Sequence, residues 1–346
     1  LLIYLHIPFC DSKCHYCAFN SYVDKFSLRE NYMKAITVQL KKEIKKFAPK
    51  AHSIKSLFIG GGTPSTISPY MYEEFFDILR PYLKKDAEIT TEANPNSASL
   101  EWLAGMKQLG VNRVSFGVQS FDEKKLQILG RNHSAKQAIE AINNAHQIGI
   151  QNISCDLIYA TSFDVEEDIK KALNLPINHI SSYALTLEEN TPFYGKETLI
   201  NNSSTLAQNF INQIAQKFEQ YEISNFGNYQ SVHNLGYWSG DDYIGIGAGA
   251  VGFLKDERYY PHKDIEEYIK NPLHVEVEKL TKEELNTEKI FLGLRSKIGI
   301  SIDTLTPQQK IKTDILIKEK KLICKHNRLY NTNFLLSDEI ALYIIS

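Results

Sequence analysis

The chain has 346 residues, with 39 Lys plus Arg against 41 Asp plus Glu and a formal charge of −2. That balance argues against nucleic-acid or other polyanion binding, which calls for a basic surface. The length allows a large core and two domains; no stretch approaches the roughly 20 apolar residues of a membrane helix; and the 5 cysteines lack the even, spread-out pattern of a secreted disulfide scaffold.

The chain opens on the apolar run Leu1–Ile7, which reads as a strand and is too short, and lacks the basic start, for a signal peptide. A reducing, cytoplasmic setting is expected. Directly after the run come Cys10, Cys14 and Cys17, three of the five cysteines within eight residues. Thiols crowded this way point to a metal site, and soft thiolates select zinc, copper(I) or iron–sulfur clusters. Three are one short of a closed four-cysteine shell, so a cluster held here keeps one iron open for a ligand that is not protein. Zinc is the rival. His15 could be a fourth ligand, but between Cys14 and Cys17 its side chain is directed away, and no second Cys-x-x-Cys or His pair completes a finger.

Further strands are expected at Ile54–Ile59, Glu88–Glu92, Arg113–Gly117, Ile153–Tyr159 and Ile180–Leu185, with amphipathic helices between them. Ser27 and Glu30 fit a capping box, and Ser68-Pro69 gives a cap followed by a first-turn proline. Six βα repeats imply a parallel sheet curved into a full or partial barrel. The unusual residues recur at one edge of that sheet. The cysteine loop follows strand one, Gly60-Gly61-Gly62-Thr63-Pro64 follows strand two, Glu92 ends strand three, Gln119 follows strand four and Asp156 lies in strand five. Parallel α/β folds bind cofactors at the carboxyl ends of their strands, so these five segments are expected to form one site.

The pattern changes in the polar stretch Glu189–Asn202. Thr205–Phe218 has apolar residues at helical spacing, and Tyr221–Phe253 is rich in aromatics. From Thr281, which forms a capping box with Glu284, the chain reads as helix, helix, a hairpin at Lys321–Tyr330 and a final apolar helix, a small winged-helix-like module. Gly245-Ile246-Gly247-Ala248-Gly249-Ala250 fits a dinucleotide fingerprint literally, but Asp241–Ile244 is a poor strand and no suitable helix follows, so a glycine-rich turn is expected. Cys155 and Cys324 read as buried small hydrophobes.

The Cys-x3-Cys-x2-Cys spacing, with Tyr16 before the last cysteine, resembles the signature of radical S-adenosylmethionine (SAM) proteins. In that family the amino and carboxylate groups of SAM occupy the open iron of a [4Fe-4S] cluster, and an electron from the cluster can cleave the sulfonium to a 5′-deoxyadenosyl radical. Six further segments narrow the resemblance to the coproporphyrinogen III oxidase-like (HemN/HemW) family: Tyr4–Cys10, Phe116–Phe121, Leu129–His133, Asp156–Tyr159, Ile180–Thr186 and Tyr221–Phe226. The resemblance implies an α/β fold, a partial (β/α)6 TIM-like barrel over residues 1–195 that binds the cluster and SAM. A linker helix and aromatic, heme-associated region would follow at 196–280, and a mainly helical C-terminal module at 281–346. It also implies that Cys10, Cys14 and Cys17 hold the cluster. Tyr4, Gly61, Gly62, Thr63, Glu92, Gln119, Arg131 and Asp156 would line the SAM region. Gly62, Thr63, Gln119, Arg131 and Asp156 also match positions that hold a second SAM in the dehydrogenase.

Two branches of the family remain. The dehydrogenase carries a fourth cysteine where this chain has Phe19, and a sizeable segment before its cluster; here nine residues precede Cys10. Both differences match the HemW-type heme chaperones, as does His233-Asn234-Leu235-Gly236-Tyr237-Trp238. A neutral imidazole can ligate heme iron, so His233 reads either as a heme ligand or as a satisfied core histidine. The chaperone reading implies heme and heme-accepting proteins, including respiratory ones, as partners, assigns no catalytic residue, and admits a homodimer and peripheral membrane association. The alternative is oxygen-independent decarboxylation of coproporphyrinogen III. One departure stands out: Ala160-Thr161-Ser162 replaces the Gly-Leu-Pro that usually follows Asp-Leu-Ile-Tyr, so the loop beside the SAM region is expected to differ in shape.

Overall fold

The computed structural model describes residues 1–201 and 203–346; Asn202, the last residue of the polar stretch noted above, lies outside them. The first half alternates as the sequence suggests: β1 (Leu2–Ile7), α1 (Arg29–Phe47), β2 (Ile54–Gly61), α2 (Glu73–Leu79), β3 (Leu83–Ala93), α3 (Leu100–Leu109), β4 (Arg113–Gln119), α4 (Glu123–Leu129), α5 (Ala135–Gln147), β5 (Asn152–Tyr159), α6 (Glu166–Leu173) and β6 (His179–Ala184). These six strands pair in sequence order and in parallel, the arrangement of a partial (β/α)6 barrel. Strand alternation sorts their side chains. Leu57, Ile59, Val114, Phe116, Ile153, Cys155 and Ile180 belong to the apolar core under the helices. Ser56, Glu88, Glu92, Arg113, Ser115, Ser154, Asp156 and His179 share the opposite, inner face and bond one another or the segments that close it.

The chain continues through α7 (Ser204–Ala215), β7 (Asn225–Gly227), α8 (Val232–Trp238), β8 (Tyr243–Ile246), β9 (Gly252–Leu254), β10 (Glu257–Pro261), α9 (Ile265–Lys270) and β11 (Val275–Lys279). These five strands enlarge the sheet to eleven, in the order β11-β10-β9-β8-β1-β2-β3-β4-β5-β6-β7. The expectation of a poor strand before the glycine run is corrected here. Tyr243–Ile246 is β8, paired in parallel with Leu2–Leu5 of β1. Gly245 sits with Ala250 and Val251 backbone where its Cβ would be, so the run is the tight turn between β8 and β9, and no helix follows it.

The tail contains α10 (Lys282–Leu294), β12 (Ile300–Ser301), α11 (Pro307–Lys318), β13 (Leu322–Lys325), β14 (Arg328–Asn331) and α12 (Ser337–Ile345). It has its own apolar cluster, including Ile290, Leu294, Leu316, Leu329 and Ile340. Backbone bonds from Ile223 to Arg295 and from Lys297 to Tyr221 tie it to the barrel. Among the described residues no helix is long and apolar enough to cross a membrane.

Thr281 and Glu284 form the expected capping box. Ser27 and Glu30 do not: a 3-10 turn, Phe26–Leu28, leads into α1, so Ser27 lies inside that turn rather than at a cap. Ser68 also precedes a 3-10 turn and gives no side-chain cap bond, although Pro69 takes its first position. Cys155 is buried as expected, whereas Cys324 is exposed on β13.

Candidate metal and cofactor centre

The cysteine loop leaves β1 and is fixed at both ends. The Cys10 N–H donates to the Tyr22 carbonyl at 3.0 Å, and the His15 N–H to the Leu129 carbonyl at 3.0 Å. The His15 ring turns away from the thiols and donates through Nδ1 to the Ile128 carbonyl at 2.8 Å, beside Gly130. It is therefore occupied as an anchor against α4. Burial raises the pKa of both Cys10 and Cys17, and the neighbouring Cys14 raises each further. All three thiols are free.

Two of the sulfurs accept hydrogen bonds from side chains outside the cysteine loop. The Thr63 hydroxyl donates to Cys10 Sγ at 3.4 Å, and Arg131 donates from one guanidinium nitrogen to Cys14 Sγ at 3.3 Å. Asn94 lies between these donors. Its Oδ1 accepts from Arg131 at 2.8 Å, and its Nδ2 donates to Thr63 Oγ1 at 3.1 Å. Arg131 also donates to the Gly117 carbonyl, while its Nε has no partner among the described residues. A Cβ on Gly117 would lie 3.2 Å from both Arg131 and the Gln119 amide, so glycine makes room for the two to converge.

The glycine run carries two separate constraints. Gly61 has φ +113°, and a Cβ there would collide with the His6 ring; one on Gly62 would lie 2.8 Å from the Phe9 carbonyl oxygen. The Gly61 N–H donates to Glu92 Oε2 at 3.0 Å. Burial raises the Glu92 pKa to about 7, and the charge of Asp156 adds to the rise. Burial also raises Asp156, against hydrogen bonds from Ser115, 2.9 Å away, and Ser181. Tyr4 gives its hydroxyl to His6 Nδ1 at 2.9 Å, which leaves the protonated Nε2 of His6 to the Asn20 carbonyl at 2.8 Å. Gln119 sits at a bulge between β4 and β5 with φ +65°. One mouth of the barrel thus gathers Tyr4, Gly61, Gly62, Thr63, Glu92, Gln119, Arg131 and Asp156 near the three cysteines.

The sequence model of the Radical SAM superfamily matches residues 4–175. The heme chaperone HemW of Bacillus subtilis is 36% identical over 320 residues, covering 86% of this chain and 84% of the relative. That of Lactococcus lactis is 32% identical, covering 94% and 86%. The Escherichia coli protein of that name is 37% identical, covering 73% and 70%. The solved structure of coproporphyrinogen III oxidase (HemN) from Escherichia coli superposes over 100% of this chain and 90% of its own, with a TM-score of 0.82 at 19% identity, a likeness of fold. The chain belongs to the HemW family of radical SAM proteins.

In this HemW-family chain His233 lies apart from the mouth. It is in α8, 1% exposed, with the Phe58 ring 5.1 Å and the Tyr237 ring 4.6 Å away. Its Nδ1 pairs with the Ser56 hydroxyl at 2.8 Å, while Nε2 is buried and has no partner among the described residues. Burial, helped by the positive charge of Arg113, lowers its pKa to about 3, so the ring is neutral. The start of α8 is seated on Glu88, whose carboxylate accepts from Ser231 Oγ, the Val232 and His233 N–H groups and Tyr229. Arg113, 1% exposed, donates to His179, which also pairs with Ser154 and Tyr221. Glu88, Arg113 and His179 are the functional-looking residues that sequence reading missed, together with Asn94. A signal was present: Glu88, Arg113 and His179 are polar residues on the inner-face parity of their strands, and Asn94 directly follows β3.

Proposed function

We propose that this chain is a heme chaperone that binds heme and passes it to hemoproteins, with a SAM-binding [4Fe-4S] cluster on Cys10, Cys14 and Cys17. The supporting observation is the set of relatives named heme chaperone HemW, which match along most of the chain. The donor set fits the cluster: three free thiols stand at one mouth, two of them already accepting hydrogen bonds, one of these charged. Such bonds suit anionic thiolate and are worth most where water is excluded. SAM fits beside it, with Glu92 able to hold an amine or a ribose hydroxyl, while Gly62 lets the end of β2 lie against the Ile7 and Phe9 backbone that leads into the cysteine loop. A cluster and SAM bound here supply a source of single electrons and a sulfonium able to accept one. Tyr4, Gly61, Thr63, Gln119, Arg131 and Asp156 complete that region, and the cytoplasm suits a thiolate-bound cluster.

Heme is assigned to the Tyr221–Trp238 segment, with His233 as its candidate ligand. A neutral imidazole with an unpaired Nε2 is the protonation state iron requires. At 1% exposure it is reached only if α8 leaves its seat on Glu88. Acceptors among respiratory hemoproteins, a homodimer and attachment at a membrane surface belong to the same reading.

The test is anaerobic reconstitution followed by heme titration and a coproporphyrinogen III turnover assay. Stoichiometric heme retention without turnover is expected. Turnover would establish the dehydrogenase instead, against the exposed Phe19, which stands where that enzyme has a further cysteine. His233→Ala is expected to change the heme absorption spectrum while leaving the iron content untouched.

A further inference from the structure

We propose that Asn94 is a positioning residue for the cluster: it orients Arg131 and Thr63 so that each gives a hydrogen bond to a different ligating sulfur. The inference rests on the reading that Cys10, Cys14 and Cys17 hold a cubane, and it assigns Asn94 a role beyond that reading.

The directions of the bonds carry the argument. A guanidinium can only donate, so Asn94 must turn Oδ1 toward Arg131, 2.8 Å away. That choice leaves Nδ2 for Thr63 Oγ1, at 3.1 Å. Thr63 now accepts from the amide, and its single proton is directed to Cys10 Sγ, 3.4 Å away. Arg131 meanwhile reaches Cys14 Sγ at 3.3 Å. One amide thereby connects two of the three sulfurs through a continuous chain of bonds, in which each member polarises the next. The side chain has a fixed base. The Asn94 N–H donates to Ser65 Oγ at 3.1 Å, and its carbonyl accepts from the Ser97 and Ala98 N–H groups at 3.1 and 3.0 Å. Hydrogen bonds to cluster sulfurs draw charge from them, favour the reduced state and raise the reduction potential.

The test is a double-substitution cycle read by potentiometric titration with electron paramagnetic resonance. Asn94→Asp keeps the size of the side chain but replaces its donor with an acceptor, so the Thr63 hydroxyl turns to the new carboxylate and away from Cys10. Thr63→Val removes the same sulfur bond directly. Thr63→Val is expected to lower the midpoint potential of the unsubstituted protein and to leave that of the Asn94→Asp protein unchanged, while Thr63→Ser keeps the original value. An equal downward shift in both backgrounds, or no shift in either, overturns the proposal. Should Asn94→Asp take up no cluster, Asn94→Gln, whose longer amide cannot serve both partners, takes its place in the cycle. Iron and sulfide analysis separates the two levels. An unsubstituted protein without a cubane overturns the underlying reading and the proposal with it, whereas a cubane with additive shifts overturns the proposal alone.

Discussion

Lys125 and Asp168 form an ion pair 3.0 Å apart, their side chains 1% and 4% exposed, between α4 and α6. Both partners make further bonds: Lys125 also donates to the Ile158 carbonyl, and Asp168 accepts from Ser120 Oγ and the Phe121 N–H. It therefore fixes the chain immediately after Gln119. Removing one partner leaves a buried, uncompensated charge, so Lys125→Met is expected to cost about 3–5 kcal/mol. Urea unfolding measures it, and a loss below about 1 kcal/mol, the value of an exposed pair, contradicts the assignment.

Glu92 titrates near pH 7 because burial and Asp156 disfavour its charge. At pH 6 the carboxyl is mostly protonated. The positive sulfonium of SAM bound beside it favours the ionised form, so SAM binding to the cluster-loaded protein is expected to release up to one proton from Glu92 at that pH, beyond the one its amine loses on ligating iron. Calorimetry in buffers of different ionisation enthalpy counts it. Glu92→Gln should lower the count by the Glu92 share, and an unchanged count would exclude Glu92 as a source.

His233 has the opposite shift, its pKa lowered by burial to about 3 from 6.5. The unfolded chain takes up this proton below about pH 6.5, whereas the folded one does so only near 3. Its contribution to stability is thus complete above pH 6.5 and falls as the pH drops toward 3. In His233→Gln that part of the acid sensitivity disappears, visible as a shallower decline of unfolding free energy between pH 6.5 and 4. Parallel curves for the two proteins would show that the ring is not buried neutral.

Ala160, where the family resemblance implies glycine, has a φ of +57°. An alanine pays for left-handed backbone, by about 1–2 kcal/mol against glycine, less what its methyl and reduced unfolded freedom return. Ala160→Gly is expected to stabilise the protein by up to about 1 kcal/mol without changing iron content. A lower thermal midpoint for this variant would mean that the packing of the 5%-exposed methyl outweighs the strain.

Strands β1 to β6 were legible because most contain a short run rich in apolar or β-branched residues with helical stretches between them, and the clustering of odd residues at their ends located the mouth. What sequence hid was long-range. The polar Asp241-Asp242 start disguised β8, whose pairing partner Leu2–Leu5 lies some 240 positions earlier, beyond the reach of any local pattern. Ser27 and Glu30 matched a cap motif, but helical and 3-10 turns compete for the same few residues, and the tighter turn took Ser27 while Glu30 joined the first turn of α1. Asn94 stood out in neither composition nor spacing, since a side chain that bonds to two others gains meaning only when both are in place.

β1 lies fifth among eleven strands, bonded to β2 on one side and β8 on the other. The peptide that launches the three cysteines therefore starts from the interior of the fabric rather than from a selvage prone to fraying. On the proposed reading, iron and sulfide would come and go at its tip while the take-off point keeps its place, making cofactor assembly a local event on a prebuilt frame.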